Sequence, residues 1–307
     1  MIAYLFPGQG SHEVGMGQHV YTHYSVAKAL FEEADDLMGF KLSTLCFDGP
    51  IDQLIDTANQ QPALYITSLA TLEAMKVEGE GQYPEPDFYA GHSLGEFSAL
   101  VAAGSFPFAD GMRLVRRRSQ LMKQAGETTP GKMAAILGLD VEVVESICQE
   151  TAARTGEIVQ IANDNCPGQI VISGSRAGVD AASEALEAAK ARRVIALPIS
   201  IAAHSAIMGE ASAEFEALIN ELEIKIPSKP VIGNMTGLPM ITPNEIRAEL
   251  KAQLTGPVQW TKSMQYLVGQ GVDTIYEVGS GDILQKLMKR IDRKVARKSY
   301  SAGLVSA

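Results

Sequence analysis

Gly91-His92-Ser93-Leu94-Gly95 is the stretch of this chain best suited to nucleophilic chemistry. It is a G-x-S-x-G lying between a short strand-like run, Asp87 to Ala90, and residues suited to a buried helix, Glu96 to Ala103. A turn of that kind pushes a serine hydroxyl out of the sheet, and its glycines keep neighbouring side chains from clashing. The helix beyond it aims unbonded backbone N–H groups at charge developing on a bound carbonyl. A glycine-flanked serine in any strand-to-helix turn carries the same letters, so the context makes the case. Such a serine needs a base, and five histidines permit elimination. His92 adjoins Ser93 and points away from it, as a pocket wall. His12, His19 and His23 lie early, in polar helical sequence. His19 and His23 are spaced for a shared metal but lack the Glu or cysteine of a zinc site, and they fit a solvated helix face. His204 remains, after a strand-like run and just before a helix. Spacing picks no acidic third member, and a backbone carbonyl would orient the imidazole equally well.

The elements that must position these residues follow from pattern. Ile2 to Phe6 reads as a buried strand running into the loop Pro7-Gly8-Gln9-Gly10, and Pro62 to Met75 as a helix apolar on several sides. Residues 130–198 have a different rhythm. Met133 to Leu139 is a strand, and Val141, Val144, Ile147 and Cys148 recur at helical spacing. Ile158 to Ala162 and Gln169 to Ser173 are strands joined by a turn over 163–168. A helix through Val179, Ala182, Leu186 and Ala189 then leads to a strand from Val194 to Ile199. The order βαββαβ is that of a ferredoxin-like module. Periodicity resumes with Met208, Ala211, Phe215, Leu218 and Leu222, and Val231 to Asn234 is a strand. Thr242 and Glu245 have capping-box spacing with Pro243 between them, and Thr274 to Val278 is a strand before a last helix. The expectation is an α/β protein with a mostly parallel sheet, residues 1–129 and 199–307 forming the large subdomain and 130–198 an insertion.

Composition narrows the partners. With 46% hydrophobic and 20% charged residues, the 307-residue chain should be folded over most of its length. A net charge of −10 argues against nucleic acid. Three scattered cysteines read as reduced thiols in a cytoplasmic protein, not as disulfides or metal ligands. The N-terminus lacks a basic region before its short apolar run, and no stretch has the apolar length to cross a bilayer.

Phe6-Pro7-Gly8-Gln9-Gly10-Ser11, the segment Gly91 to Glu96, Pro167 to Gly174, the His204-Ser205 junction, Pro257-Val258-Gln259-Trp260 and Glu277-Val278-Gly279 occur in order. Together they resemble the malonyl-CoA:acyl carrier protein transacylases of fatty-acid synthesis and the related acyltransferases of polyketide assembly, over nearly the whole chain. The resemblance implies an α/β-hydrolase-like core with a ferredoxin-like insertion. It makes Ser93 the acyl-bearing nucleophile and His204 its general base and acid, with the backbone N–H groups of Gln9 and Leu94 as oxyanion hole. It also picks Arg118 from the run Arg113, Arg116, Arg117 and Arg118, which periodicity leaves open as a solvated basic face. Arg118 would grip the malonyl carboxylate bidentately. Gln253 would fix the imidazole through its backbone carbonyl, and Asn165 and His92 would line the pocket.

Two positions depart from the family pattern. His12 replaces a common glutamine, with an effect expected at the loop surface. Ala202 and Ala203 stand before His204 where many malonyl-specific relatives carry phenylalanine, which leaves room for a methylmalonyl group; Leu94 is of the malonyl type. The implied reaction passes a malonyl group from coenzyme A to Ser93 and on to a carrier protein thiol, with no metal and no tightly bound cofactor. An acidic carrier needs a positive patch, either Lys286, Lys289, Arg290, Arg293, Lys294, Arg297 and Lys298 or the 113–118 group. The competing readings are an acyl-thioester hydrolase or esterase on the same scaffold and a non-catalytic synthase partner.

Overall fold

The computed structural model describes residues 1–78 and 83–300. Its ten strands are β1 (Ile2–Phe6), β2 (Phe88–Gly91), β3 (Gly131–Leu137), β4 (Val159–Cys166), β5 (Gln169–Ser175), β6 (Arg193–Ala196), β7 (Val231–Ile232), β8 (Pro239–Met240), β9 (Thr274–Val278) and β10 (Ala296–Tyr300). They form a six-stranded sheet in the order β10-β9-β1-β2-β7-β8 and a four-stranded sheet in the order β4-β5-β3-β6. In the larger sheet β10, β9, β1, β2 and β7 run parallel, and only the edge strand β8 is antiparallel.

Strand parity explains why the central strands read as continuous apolar runs. Tyr4, Phe6, Tyr89, Val231, Tyr276 and Val278 enter the core on one face, while Ala3, Leu5, Phe88, Ala90, Ile232 and Ile275 enter a second core on the other. A parallel sheet covered on both faces needs apolar residues at both parities. The helix Thr57–Glu78 contacts both Ser25–Met38 and Phe108–Thr128 and is buried on several sides, as its unpolarised sequence requires. Each large side chain so buried contributes roughly 1.5–3 kcal/mol before the entropy of ordering it. Among the described residues, no helix is long and apolar enough to cross a membrane.

The smaller sheet is antiparallel throughout, with the strand order of a ferredoxin-like unit. Ala134, Ile136, Val159, Ile170 and Ile172 pack on one face with Val144 and Cys148 of one helix and Val179, Ala182 and Leu186 of another. The opposite parity, Met133 and Val171, faces a cleft shared with the larger sheet.

Two local expectations are corrected. The sequence places a turn over 163–168, yet β4 continues to Cys166 and the turn shrinks to Pro167-Gly168. Two register shifts against β5, at Ile161/Asn163 and Asp164/Cys166, accommodate these polar residues. Val258 donates its N–H to Ala162 and accepts the Asp164 N–H, and the Thr261 hydroxyl donates to Asp164 Oδ1. Bulges of this kind re-aim side chains instead of ending a strand. At the other edge the strand expected to reach Ile199 stops at Ala196. Pro198 has no N–H to continue the ladder. The capping box is present, Thr242 accepting from the Glu245 N–H and Glu245 from the Thr242 N–H, at the start of the helix Pro243–Ala252.

Candidate active site

Parallel β1 and β2 end side by side, Phe6 opposite Gly91, so the loop after β1 and the turn after β2 share one edge of the sheet. Ligands of open parallel sheets bind outside that carboxyl edge. Ser93 occupies the turn with φ 50°, a left-handed conformation rare for a residue with a Cβ. The two glycines are there for close approach. A Cβ on Gly91 would sit 1.9 Å from the Gly95 carbonyl carbon, and one on Gly95 would sit 2.0 Å from the Phe6 oxygen. The Ser93 N–H donates to Asn234 Oδ1 at 2.6 Å, and the Gly95 N–H to His92 O. Among the described residues, the Leu94 N–H and, across the shared edge, the Gln9 N–H have no backbone partner outside the regular elements. They are free to meet an oxyanion.

His204 is the second functional residue with positive φ, 58°. Such outliers persist where the surroundings over-determine them. Its Nε2 lies 2.8 Å from Ser93 Oγ, and its Nδ1 lies 2.9 Å from Gln253 O and 3.1 Å from Gly256 O. Two carbonyls can only accept, so Nδ1 carries the proton and Nε2 is left to receive the one on Ser93 Oγ. Backbone carbonyls thus stand where an acid completes other triads. Gln160 holds the histidine's backbone, donating from Nε2 to His204 O and Thr255 O. Burial, with the charge of Arg118 beside it, lowers the His204 pKa to about 3.

Arg118 is fully buried. It lies on the inward stripe of the helix Phe108–Thr128 with Leu114, Val115, Leu121 and Met122. Its Nη1 donates to Gln61 Oε1 at 2.6 Å, and its Nη2 to Ser93 Oγ and Gln253 Oε1, both at 3.1 Å. Its Nε–H has no partner among the described residues, and none of their ion pairs includes it. Burial lowers its pKa to about 10, opposed by Glu96, so it stays charged at neutral pH. The other arginines of the run are outward: Arg113 pairs with Asp110, Arg117 with Glu214, and Arg116 donates to Leu37 O.

Beneath the turn lies a buried polar layer. Gln253 Nε2 donates to Ser93 O at 3.0 Å and makes a short contact to Glu96 Oε2. Asn234 donates from its backbone N–H and Nδ2 to Glu96 Oε1, and from Nδ2 to Gly91 O. Burial and the neighbouring Glu249 raise the Glu96 carboxyl, while the Asn234 and Gln253 donors and Arg118 pull it back. Glu249 is raised to about 7 by burial.

The cleft above Ser93, of about 210 Å³, is lined by Gln9, His92, Asn165, Met133 and Val171, and by Leu197, Ile199, Ile201 and Ala203. The last four alternate, as one face of an extended segment does. His92 Nε2 lies 2.7 Å from Asn165 Oδ1, and burial lowers its pKa. All eight residues singled out from the sequence therefore meet at or beneath this cleft. His12 departs from expectation: it lies 2.6 Å from Gln60 Nε2, and Gln60 accepts from Gln9 Nε2, so it helps pin the loop and is not confined to its surface. Gln61, Glu96, Asn234 and Gln160 were not assigned from the sequence. Glu96 alone left a signal there, an acid inside a run suited to a buried helix. The His19 and His23 rings stack at 4.1 Å, and among the described residues no group of His, Cys, Asp and Glu could hold a metal. The arrangement can add a serine oxygen to a carbonyl whose substituent carries a negative charge.

The sequence profile of the acyl transferase domain matches residues 3–300. A malonyl CoA-acyl carrier protein transacylase of Bacillus subtilis (strain 168) is 43% identical over 294 residues, 96% of this chain and 91% of that protein. One of Escherichia coli (strain K12) is 40% identical over 94% of this chain and 92% of its own length. Among solved structures, an acyl carrier protein S-malonyltransferase from Vibrio cholerae superposes with a TM-score of 0.93 at 38% identity, covering 98% of this chain and 96% of that one. A malonyl-transacylase solved in complex with a type II PKS acyl-carrier protein gives 0.93 at 37%, with the same coverage.

Proposed function

Because the chain belongs to the acyl transferase domain family, we propose that it moves a malonyl group from coenzyme A, through an ester on Ser93, to the phosphopantetheine thiol of an acyl carrier protein of fatty-acid or polyketide synthesis. The observation that carries this reading is Arg118, a buried cation without an ion-pair partner among the described residues and 3.1 Å from Ser93 Oγ. A buried cation with no carboxylate at ion-pair distance is costly, and a site that keeps one is built for an anion. An esterase or thioester hydrolase has no use for it.

In the first half-reaction Ser93 Oγ gives its proton to His204 Nε2 and bonds to the thioester carbon. The oxyanion rests on the Gln9 and Leu94 N–H groups. As the C–S bond breaks, coenzyme A sulfur takes the proton from Nε2. In the second half the carrier thiol gives its proton to Nε2, attacks the ester and returns Ser93 Oγ–H. The coenzyme A thioester is a substrate, and these steps need no tightly bound cofactor. The division into 1–129 with 199–307 and 130–198 fits this chemistry. Ser93 and His204 come from the first part, and Met133, Asn163, Asn165 and Val171 cover the cleft from the second. Three free, buried cysteines support the cytoplasm as its place.

For carrier docking we favour the helix Ile283–Ile291 over the 113–118 run, where Arg113, Arg116 and Arg117 are all engaged; on the helix Lys286 pairs with Asp282, but Lys289 is in no ion pair among the described residues. Ile283 packs near Gly10, which follows the cleft-lining Gln9, and Arg290 donates to Pro167 O and Gln169 Oε1. Lys289, Arg293 and Lys294 stand exposed beyond it.

Two predictions arise here. The base must be neutral to act, and a His204 pKa near 3 keeps it so through mildly acidic pH. The kcat/KM for malonyl-CoA is therefore expected to stay flat from about pH 8 to about pH 5, with no inflection near the ordinary histidine value of about 6.5. An inflection there would show an imidazole free of burial and of Arg118. The second concerns Ala203, whose small side chain lines the cleft. Methylmalonyl-CoA is expected to load Ser93, and Ala203→Phe to reduce that loading about tenfold or more relative to malonyl. An unchanged ratio would place the extra methyl elsewhere.

The proposal as a whole is tested by the intact mass of the protein after brief incubation with malonyl-CoA. A malonyl-sized adduct that discharges onto an added carrier protein supports it. Coenzyme A released without an adduct points to a hydrolase, and neither adduct nor release to a scaffold.

A further inference from the structure

We propose that Glu96 is a positioning residue for malonyl transfer: its carboxyl fixes which end of the Gln253 side-chain amide faces Arg118, and so keeps the guanidinium presented to the acyl group. This inference rests on the malonyl-transfer reading above.

The hydrogen bonds recorded to the Glu96 side chain are all received. Oε1 accepts the Asn234 backbone N–H at 2.8 Å and Asn234 Nδ2 at 3.0 Å, and Oε2 accepts Gln253 Nε2. Donors stand against both of its oxygens, so the carboxyl serves here as an acceptor. The backbone N–H of Asn234 cannot rotate away, so Oε1 must remain an acceptor. The consequence falls on Gln253. With Nε2 held by Oε2 and by Ser93 O, its Oε1 points at Arg118 Nη2. Reversing that amide would set Nε2 against a guanidinium and Oε1 against two acceptors, with every partner mismatched. Glu96, Gln253 and Arg118 are all buried, so water cannot repair the mismatch.

Glu96→Gln makes the idea testable, because it keeps the shape and turns one acceptor into a donor. The new carboxamide oxygen must serve Asn234, which leaves its NH2 facing Gln253 Nε2. Donor against donor is relieved by turning Gln253 over, which places its NH2 on Arg118. The expected result is a rise in KM for malonyl-CoA of about tenfold or more, and a similar fall in the malonyl-to-acetyl ratio of kcat/KM, with acetyl loading of Ser93 changed far less.

A double-mutant cycle with Gln253→Met separates this from general damage. Methionine removes the amide that transmits the effect but leaves the backbone carbonyl that orients His204. Gln253→Met alone should lower the malonyl-to-acetyl ratio, and adding Glu96→Gln should lower it little further. An unchanged ratio in either single variant, or additive effects in the double, overturns the proposal. Should Glu96→Gln fail to fold, Glu96→Asp takes its place, since it draws the carboxyl back from Gln253 Nε2 without making a donor, and an unchanged malonyl-to-acetyl ratio overturns the proposal. Wild-type protein that forms no malonyl adduct would instead defeat the underlying function, so the two failures are distinct.

Discussion

Ser93→Ala is expected to leave no acyl adduct with any coenzyme A thioester and to cut transfer by about 10⁴-fold or more, with the protein still folded. The hydroxyl is the only group of the site placed to form the covalent bond. His204 Nε2 stands 2.8 Å from it, and the two unbonded N–H groups are set for the oxyanion that follows. Folding should survive, because alanine meets the same left-handed backbone as serine, and the turn is held by the Asn234 and Gln253 side chains bonding to Ser93 main-chain atoms. His204→Ala should be nearly as severe at the loading step but different in kind. Its serine remains, so prolonged incubation should still deposit a trace of malonyl ester. Intact mass against time distinguishes the two. Adduct on Ser93→Ala at the wild-type rate would move the nucleophile to another residue.

The fold was readable where period and burial agree. Strands covered on both faces, such as Ile2–Phe6 and Thr274–Val278, appear at their observed bounds because apolar residues hold both parities, and the one acid among them, Glu277, is buried accepting the Leu284 and Gln285 N–H groups. The reading failed over 163–166, where polar residues that signal a turn are held in β4 by bulges and by partners near residues 258 and 261, far along the chain. The site divides the same way. The turn at Ser93 is local, a motif between two elements, and it was legible. The layer beneath it is not local: Asn234 lies 141 residues from the Ser93 N–H it receives, and no spacing rule connects them. Arg118 falls between. Of the four arginines in its run, only Arg118 has apolar residues at all four helical neighbours, Leu114, Val115, Leu121 and Met122. That pattern marks an inward face. The charge run concealed it, because a cluster of cations invites one reading for all of its members.

Arg118→Ala is expected to lower kcat/KM for malonyl-CoA by about 10³-fold while acetyl-CoA loses little or gains. The size follows from what is removed: leaving one member of a buried charge pair without its partner costs about 3–5 kcal/mol, or roughly 10² to 10³·⁵ in an equilibrium or rate. The sign for acetyl follows from the other half of that account. In the wild-type site an acetyl group on Ser93 Oγ must sit beside a buried guanidinium that has no ion-pair partner among the described residues, and alanine relieves it of that company. Arg118→Lys should not restore malonyl transfer. A lysine ammonium is a point charge that cannot bond Gln61, Gln253 and a carboxylate in the planar arrangement the guanidinium allows. The lost guanidinium also leaves Gln61 Oε1 and Gln253 Oε1 buried without their donor, so a lowered Tm is expected alongside. The comparison that decides is the ratio of malonyl to acetyl kcat/KM in one preparation. Destabilisation lowers both numbers together, and only a carboxylate-binding role lowers one of them.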